Sequence, residues 1–286
     1  MNNVIGKPAR FKPFPRVRTS ILGLVGAGLC AFWLLVALLG GWLAPHGVGD
    51  VISNNVFDDM GHGFALGTDY LGRDMLSRVL IGARFTVGLA LVAAVLASTV
   101  GTALALLSVV SSRWLDGCIS RVMDALISIP GKMLALVVVS AFGASVQLLI
   151  VTAVLSYAPG CYRIARSLAT NIEALEYVQV ARTRGEPRWY IACVEILPNM
   201  LNPVLTDLGL RFGFIVLLLS GMSFLGLGVQ PPDADLGSLV RENIGGLSQG
   251  APALVIPALA IGSMTVGINL LIDSISSRRQ RSKGGH

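Results

Sequence analysis

Charge is what this sequence has least of. Asp, Glu, Lys and Arg make up 13% of its 286 residues, about half the share usual in soluble domains. Histidine is nearly absent too: His46, His62 and His286 are its three, none in H-E-x-x-H spacing, which excludes a zinc-hydrolase centre. The four cysteines, Cys30, Cys118, Cys161 and Cys193, show no C-x-x-C pairing; four reduced thiols are expected, with no disulfide and no metal site. No G-x-x-x-x-G-K-[ST] occurs, so a phosphate-cradling loop is not expected, and any ATP that drives the protein is hydrolysed on another subunit. Gly26-x-Gly28-x-x-Ala31 satisfies a loose dinucleotide fingerprint but lies inside an apolar run rather than at a strand-to-helix turn,. Close helix packing through small residues, such as Gly23 against Ala27, is its expected use. No pairing of nucleophile and base emerges, so no residue is assigned a catalytic role.

What fills the chain instead is apolar: 53% of residues are hydrophobic and the mean hydropathy is +0.71. A large soluble core could absorb such a composition if it were dispersed, but here it is gathered into runs of about 20 residues, the length that crosses a bilayer. Six spans are expected, at 21–43, 85–110, 117–142, 146–165, 199–224 and 252–274. The first follows KPARFKPFPRVR and is too long for a signal-peptide core, with no A-x-A site after it, so it reads as an uncleaved anchor,.

Placement of Lys and Arg sets the orientation, because positive residues are retained inside. With the N-terminus inside, 16 of the 22 basic residues fall on the inner side. Only Arg73, Arg78, Arg84 and Arg241 fall outside, and Lys132 and Arg211 lie within spans. Both termini are therefore expected in the cytoplasm. Topology accounts for the formal charge of +6 without a nucleic-acid partner. The expected organisation is a basic segment at 1–20, a transmembrane domain at 21–275 and a basic tail at 276–286. Within the domain, 44–84 forms an outer loop with an interfacial helix and 166–198 an inner loop.

The inner loop interrupts this apolar chain with EYVQVARTRGEPRWYIACVEILPN, Glu176 to Asn199. Leu175, Val178 and Ala181 recur at helical spacing, with Glu and Arg outside that stripe. Gly185 can take the left-handed conformation that ends a helix, and Pro187 can open the next one. The second helix carries Trp189, Tyr190, Ile191 and Val194 before Pro198, which marks entry into the fifth span. Such an amphipathic pair suits a groove on a soluble partner, and equally a bed of lipid headgroups.

Gly185, followed thirteen positions later by Pro198, with Leu197 before the proline and Ala181 four residues before the glycine, resembles the "EAA" coupling motif of permease subunits of binding-protein-dependent ABC importers. The resemblance covers nearly the whole chain and is most specific for the C-type subunit of dipeptide, oligopeptide and nickel permeases. LGTDYLGRDMLSRVLIGAR (66–84), SRVMDALISIPGKMLALVVV (120–139), EYVQVARTRG with ILPN (176–199), SFLGLGVQPP (223–232) and NLLID (269–273) match that branch in order. Gln179 stands where the motif usually has Glu, and Val180 where it has its first Ala. Leu219 replaces a common Glu before SFLGLG, and Leu236 a Trp before Gly237.

The resemblance implies an all-α polytopic membrane protein of the type I ABC importer permease fold, with six transmembrane helices and a cytoplasmic coupling helix pair. It implies a multi-pass subunit of the bacterial inner membrane that forms a pathway with a companion permease, a heterodimer. Two ABC ATPases would bring ATP and Mg, and an extracytoplasmic solute-binding protein would deliver a peptide, nickel chelate, opine or glutathione-like solute. Glu176, Gln179, Ala181, Gly185, Leu197 and Pro198 would form the ATPase-coupling set.

Physical reading of the remaining motifs supplies further expectations. Thr68 or Asp69 can cap a helix whose apolar face is Leu71, Met75, Leu76, Val79 and Leu80. That leaves Arg73, Asp74 and Arg78 outward, on a binding protein, the companion permease or lipid headgroups. Gly226, Gly228 and Pro231 give the stretch after the fifth span an irregular backbone, either at the outer mouth of a pathway or as a connector. Asp207 and Arg211, four apart in the fifth span, can pair on one helix face, in a pathway or in a self-neutralised packing contact. Lys132 could snorkel to the inner surface and is given no role. An ion-gradient-driven secondary transporter is the alternative function, and it should show more intramembrane carboxylates and repeated halves. An intramembrane enzyme lacks a catalytic pair.

Overall fold

The structure, a computed structural model, describes residues 21–61 and 64–283, with side chains as far as 275. The expected basic segment 1–20, His62, His286 and the side chains of the expected tail lie outside the described residues. Helices α1 (Ile21–Leu43), α2 (Met75–Val110), α3 (Arg113–Ser128), α4 (Gly131–Phe142) and α5 (Val146–Glu173) are followed by the short α6 (Glu176–Thr183) and α7 (Arg188–Tyr190). A π-helical segment, Ile191–Ile196, then runs into α8 (Leu197–Phe224). The two-turn α9 (Leu236–Glu242), a 3-10 segment at Ile244–Gln249 and α10 (Val255–Lys283) complete the described residues. Extended pairing among the described residues is limited to two isolated bridges, Val51 with Arg73 and Thr68 with Asp74.

Among the described residues, five helices are long and apolar enough to cross a membrane, and six spans result when α3 and α4 are taken as one broken span. That break corrects the expected continuous helix at 117–142. The axis bends by 85° between Ser128 and Gly131. Pro130 has no N–H to donate, and its ring drives the preceding residue out of helical space; Ile129 accordingly sits at φ −93°, ψ 124°.

Small residues let the helices close on one another where no hydrophobic effect drives them together. Ala90, Ala93, Ala94, Ala97 and Ala105 of α2 are fully buried. A methyl group on Gly101 would stand 2.7 Å from the Ala158 carbonyl oxygen of α5. At the α1–α10 crossing, a Cβ on Gly26 would reach within 2.6 Å of the Leu271 amide nitrogen, while one on Gly28 would meet open space. The fingerprint-like stretch is thus a packing seam, centred on Gly26 and its opposite number Gly267.

Candidate functional site

The Glu176–Asn199 segment folds as helix, turn, helix, joining α5 to α8. Val178 and Ala181 of α6 are buried, with Val178 in a cluster that includes Ile191, Ala192, Ile196 and Met200. Leu175, the third member of the expected stripe, is instead the N-cap of α6 and is exposed. Gly185 has φ +82°. Its N–H donates to the Arg182 carbonyl at 3.0 Å, and the Glu186 N–H reaches back to the Ala181 carbonyl at 3.3 Å. Those two bonds define a Schellman ending, which needs a left-handed residue at the glycine's place. A Cβ at Gly185 would meet nothing within 4 Å, so the requirement for glycine there is one of backbone conformation alone.

The second limb carries Trp189, Tyr190, Ile191 and Val194 and passes through Pro198, the expected entry to the fifth span, without a break. Arg188–Phe224 is one continuous helical run, widened by the π segment, in which Leu197 N–H donates to the Ala192 carbonyl five residues back. An α-helical turn would press the Pro198 ring against the carbonyl four residues earlier; the wider turn relieves that contact. The coupling set expected from the sequence is gathered on this loop. Glu176, Gln179, Gly185 and Pro198 are exposed, Leu197 is half-buried and Ala181 is buried. The Gln179 side-chain amide donates to the Glu173 carbonyl at 2.9 Å, closing the α5–α6 corner, and Arg182 pairs with the Glu173 carboxylate. Tyr177 and Trp189 stay exposed.

Behind the loop, Arg166 of α5 holds Asp116 of α3 through two hydrogen bonds of 2.8 and 2.6 Å. The Tyr162 hydroxyl lies 3.0 Å from Ser108 of α2 and 2.7 Å from Ser120 of α3. This lattice fixes three helices at the end of the bundle that bears α6. Sequence reasoning missed it, because its members sit 8 to 58 residues apart.

At the opposite end the charges turn inward. Arg73, Asp74 and Arg78, expected to face outward, are 7%, 4% and 1% exposed. Asp69 is fully buried and accepts from Arg73 Nε at 2.7 Å and from Arg78. Glu242 of α9 closes the group, 3.3 Å from Arg73 and 3.0 Å from Arg78. Two cations and two anions therefore cancel in a largely buried site, the arrangement that buried charges require. The helix begins later than expected: Asp74, rather than Thr68 or Asp69, caps α2 by accepting from Ser77 N at 3.0 Å. An i,i+4 spacing hinted at the Asp69–Arg73 pair, but nothing local announces Glu242, which lies 169 residues from Arg73.

The stretch after α8 repeats the device seen at Gly185. Gly226 has φ +86°, its N–H donates to the Ser223 carbonyl at 3.0 Å, and Leu227 N–H reaches the Met222 carbonyl at 2.9 Å. Here the surroundings are close: a Cβ on Gly226 would stand 2.8 Å from Arg241 Nη1, and one on Gly228 would overlap the Ser223 side chain. Pro231, by contrast, is exposed. Asp235 caps α9 with its carboxylate, accepting from Ser238 N at 2.8 Å and from the Ser223 hydroxyl at 2.7 Å. Burial pushes this carboxyl up, against the lowering effect of those hydrogen bonds,.

Between the two ends, Arg211 Nε lies 3.2 Å from Asp207 Oδ2, both partly buried, on the expected helix face. Its guanidinium is packed against Gly160 of α5, where a Cβ would come within 2.6 Å of Nη1.

Known proteins are similar to this chain in sequence. Residues 97–281 match the family described as "Binding-protein-dependent transport system inner membrane component". A probable D,D-dipeptide transport system permease protein of Escherichia coli (strain K12) is 31% identical over 271 residues, covering 94% of this chain and 90% of the relative. A putative peptide transport system permease protein of Brucella suis biovar 1 is 33% identical over 260 residues, covering 91% and 86%. A glutathione transport system permease protein of Pectobacterium atrosepticum is 30% identical over 256 residues, covering 88% and 84%.

Proposed function

The chain belongs to the binding-protein-dependent transport system inner membrane components, and as a permease subunit of that class we propose that it carries a peptide or a peptide-like solute across the inner membrane. The names of its relatives, which span dipeptide, peptide and glutathione systems, support that solute class. An ion-gradient-driven transporter is not favoured by those relatives.

The α6 loop is the ATPase-docking surface, and it faces the cytoplasm, as do both termini. A companion permease completes the pathway, probed from outside by a solute-binding protein, while ATP and Mg bind the ATPase pair. Closure of the ATPases on ATP pulls on α6. Because α6 is stitched to α5 through Glu173 and reaches α8 through the Gly185 turn and the continuous helical run that follows it, the pull is passed to two spans at once.

The observation that carries this reading is the Gly185 turn. It fixes the angle between α6 and α7 while its own side faces open space. Gly185→Val must put a β-branched residue into the left-handed region, costing about 1–3 kcal/mol or reorienting the helices. The expected result, by co-isolation from membranes and by solute uptake, is a chain that stays inserted and paired with its companion yet loses ATPase and transport together. Gly185→Asn, which tolerates that region better, should lose less. Full ATPase association in Gly185→Val would instead make the loop a membrane-surface helix pair.

A further inference from the structure

The break in the third span lies at the same depth as the Asp207–Arg211 pair. Gly131, the first residue of α4, packs on Ser156 of α5, whose hydroxyl donates to the Gly131 carbonyl at 3.2 Å. Ser156 is about 15 Å along α5 from Val146, half the thickness of a bilayer core of about 30 Å. Four residues further on, Gly160 carries the Arg211 guanidinium, and Arg211 itself is about 20 Å from either end of α8. One face of α5 thus brings together, about 6 Å apart along its axis, the broken helix and the intramembrane ion pair. The Tyr157 hydroxyl, on the same turn as Ser156, donates to the Phe214 carbonyl at 3.1 Å, joining α5 to α8 at this level.

The charges in this belt do not cancel. Arg211 has Asp207, whereas Lys132, one residue past the break and exposed, enters no ion pair among the described residues. Two cations stand against one carboxylate in the charge count at this level. An unpaired ammonium at mid-depth is costly against lipid and belongs on a water-filled cavity, and irregular backbone at that depth is tolerated only against protein or water. Transporter sites recur where a broken helix meets the membrane midplane. We propose that Lys132 and Arg211 form a mid-membrane anion station in the translocation pathway, which takes the free carboxylate of the passing solute. Its residual single positive charge matches one carboxylate, and Asp207 keeps the site from holding that anion too tightly to release. The inference rests on the pathway and solute class proposed above.

The test uses the complete transporter, permease pair with ATPases, in lipid nanodiscs, with native cysteines replaced and Ser156→Cys introduced at the break, so that Lys132 keeps its charge. Two charged thiol reagents, methanethiosulfonate ethylsulfonate (anionic) and ethyltrimethylammonium (cationic), are compared, each rate normalised to that with free 2-mercaptoethanol. Modification by both is expected, with the anionic reagent favoured about fivefold or more. Sodium acetate, the minimal carboxylate, should slow the reaction more than sodium chloride at equal ionic strength. Lys132→Gln should abolish the preference, and so should Arg211→Gln. Should that variant not assemble, Asp207→Asn serves in its place and should enlarge the preference. No modification by either reagent, equal normalised rates, or equal effects of acetate and chloride would each overturn the station. Co-isolation of the ATPases with the cysteine-free parent is read separately: its loss counts against the proposed function, whereas its retention with an unreactive Ser156→Cys counts against this inference alone.

Discussion

The α6 loop and the α9 end of the molecule use the same parts to opposite effect. Each has a Schellman turn on a glycine, Gly185 in one and Gly226 in the other. Each has arginine–carboxylate pairs. At the α9 end, Arg78 and Asp69 are essentially out of water, and Arg241 leans on the turn. In the α6 loop, Arg182 is 42% exposed and the glycine faces open space. One end is consolidated internally before any partner arrives; the other keeps its surface available, as a docking surface must. Stability and function should therefore separate between the two ends.

The largest effect on stability is expected at Arg78. Arg78→Met leaves the Asp69 and Glu242 carboxylates sharing Arg73 alone, a net buried negative charge, at a cost of about 3–5 kcal/mol. The measurement is the thermal unfolding midpoint of the detergent-purified chain. Arg78→Met with Glu242→Gln restores neutrality and should recover a large part of the loss. If the single substitution unfolded at the parental temperature, the inward-facing cluster would carry no stability and the contrast between the ends would collapse.

The two glycines sharpen the contrast at the next level down. An alanine in the left-handed region costs about 1–2 kcal/mol at either site. Gly226→Ala must also displace the Arg241 guanidinium, 2.8 Å from the new methyl carbon, whereas Gly185→Ala displaces nothing. Gly226→Ala should lower the unfolding midpoint more than Gly185→Ala does, and equal shifts would mean that Arg241 yields freely.

One rule read from the sequence, that the apolar stripe goes in and charge goes out, explains both what was legible and what was not. It placed Val178 and Ala181 correctly in α6, because that helix lies against the bundle with one side toward solvent. It failed for Arg73 and Arg78, because their partner Glu242 comes from a distant part of the chain and removes the penalty that the rule assumes, and for Asp74, because its carboxylate is taken up as the N-cap of α2. Six spans were visible from apolar runs alone, and the Asp207–Arg211 pair from i,i+4 spacing. The bend at Pro130 was visible as a residue type but was outweighed by the continuous apolar run around it. The π segment had no sequence signal beyond Pro198 itself, since it answers a clash that exists only once the helix is continued through the proline.

The Asp207–Arg211 pair, partly buried midway between the two ends, should be intermediate. Asp207→Asn and Arg211→Gln should each impair assembly or uptake, and the double substitution should be milder than their sum. A coupling on the order of 1 kcal/mol is expected, the scale of polar contacts between membrane helices. Strict additivity would mean that the 3.2 Å approach has no energetic content.

The smallest stability effect belongs to the pair chemically closest to Arg78 and Asp69. Arg182→Ala removes an arginine from a carboxylate just as Arg78→Met does, but Arg182 and Glu173 are 42% and 21% exposed. Water solvates the carboxylate left behind, and exposed pairs contribute about 0–1 kcal/mol. The unfolding midpoint should hardly move, and the residual shift should shrink as salt is raised. If the α6 loop is the docking surface, the same substitution should still weaken ATPase co-isolation. It frees Glu173, whose carbonyl also receives Gln179 at the α5–α6 corner, and it removes a positive charge from the presented face. A large drop in stability with unchanged ATPase association would reverse the assignment: the α6 loop would then be a consolidated part of the bundle, and the ATPase would have to grip elsewhere.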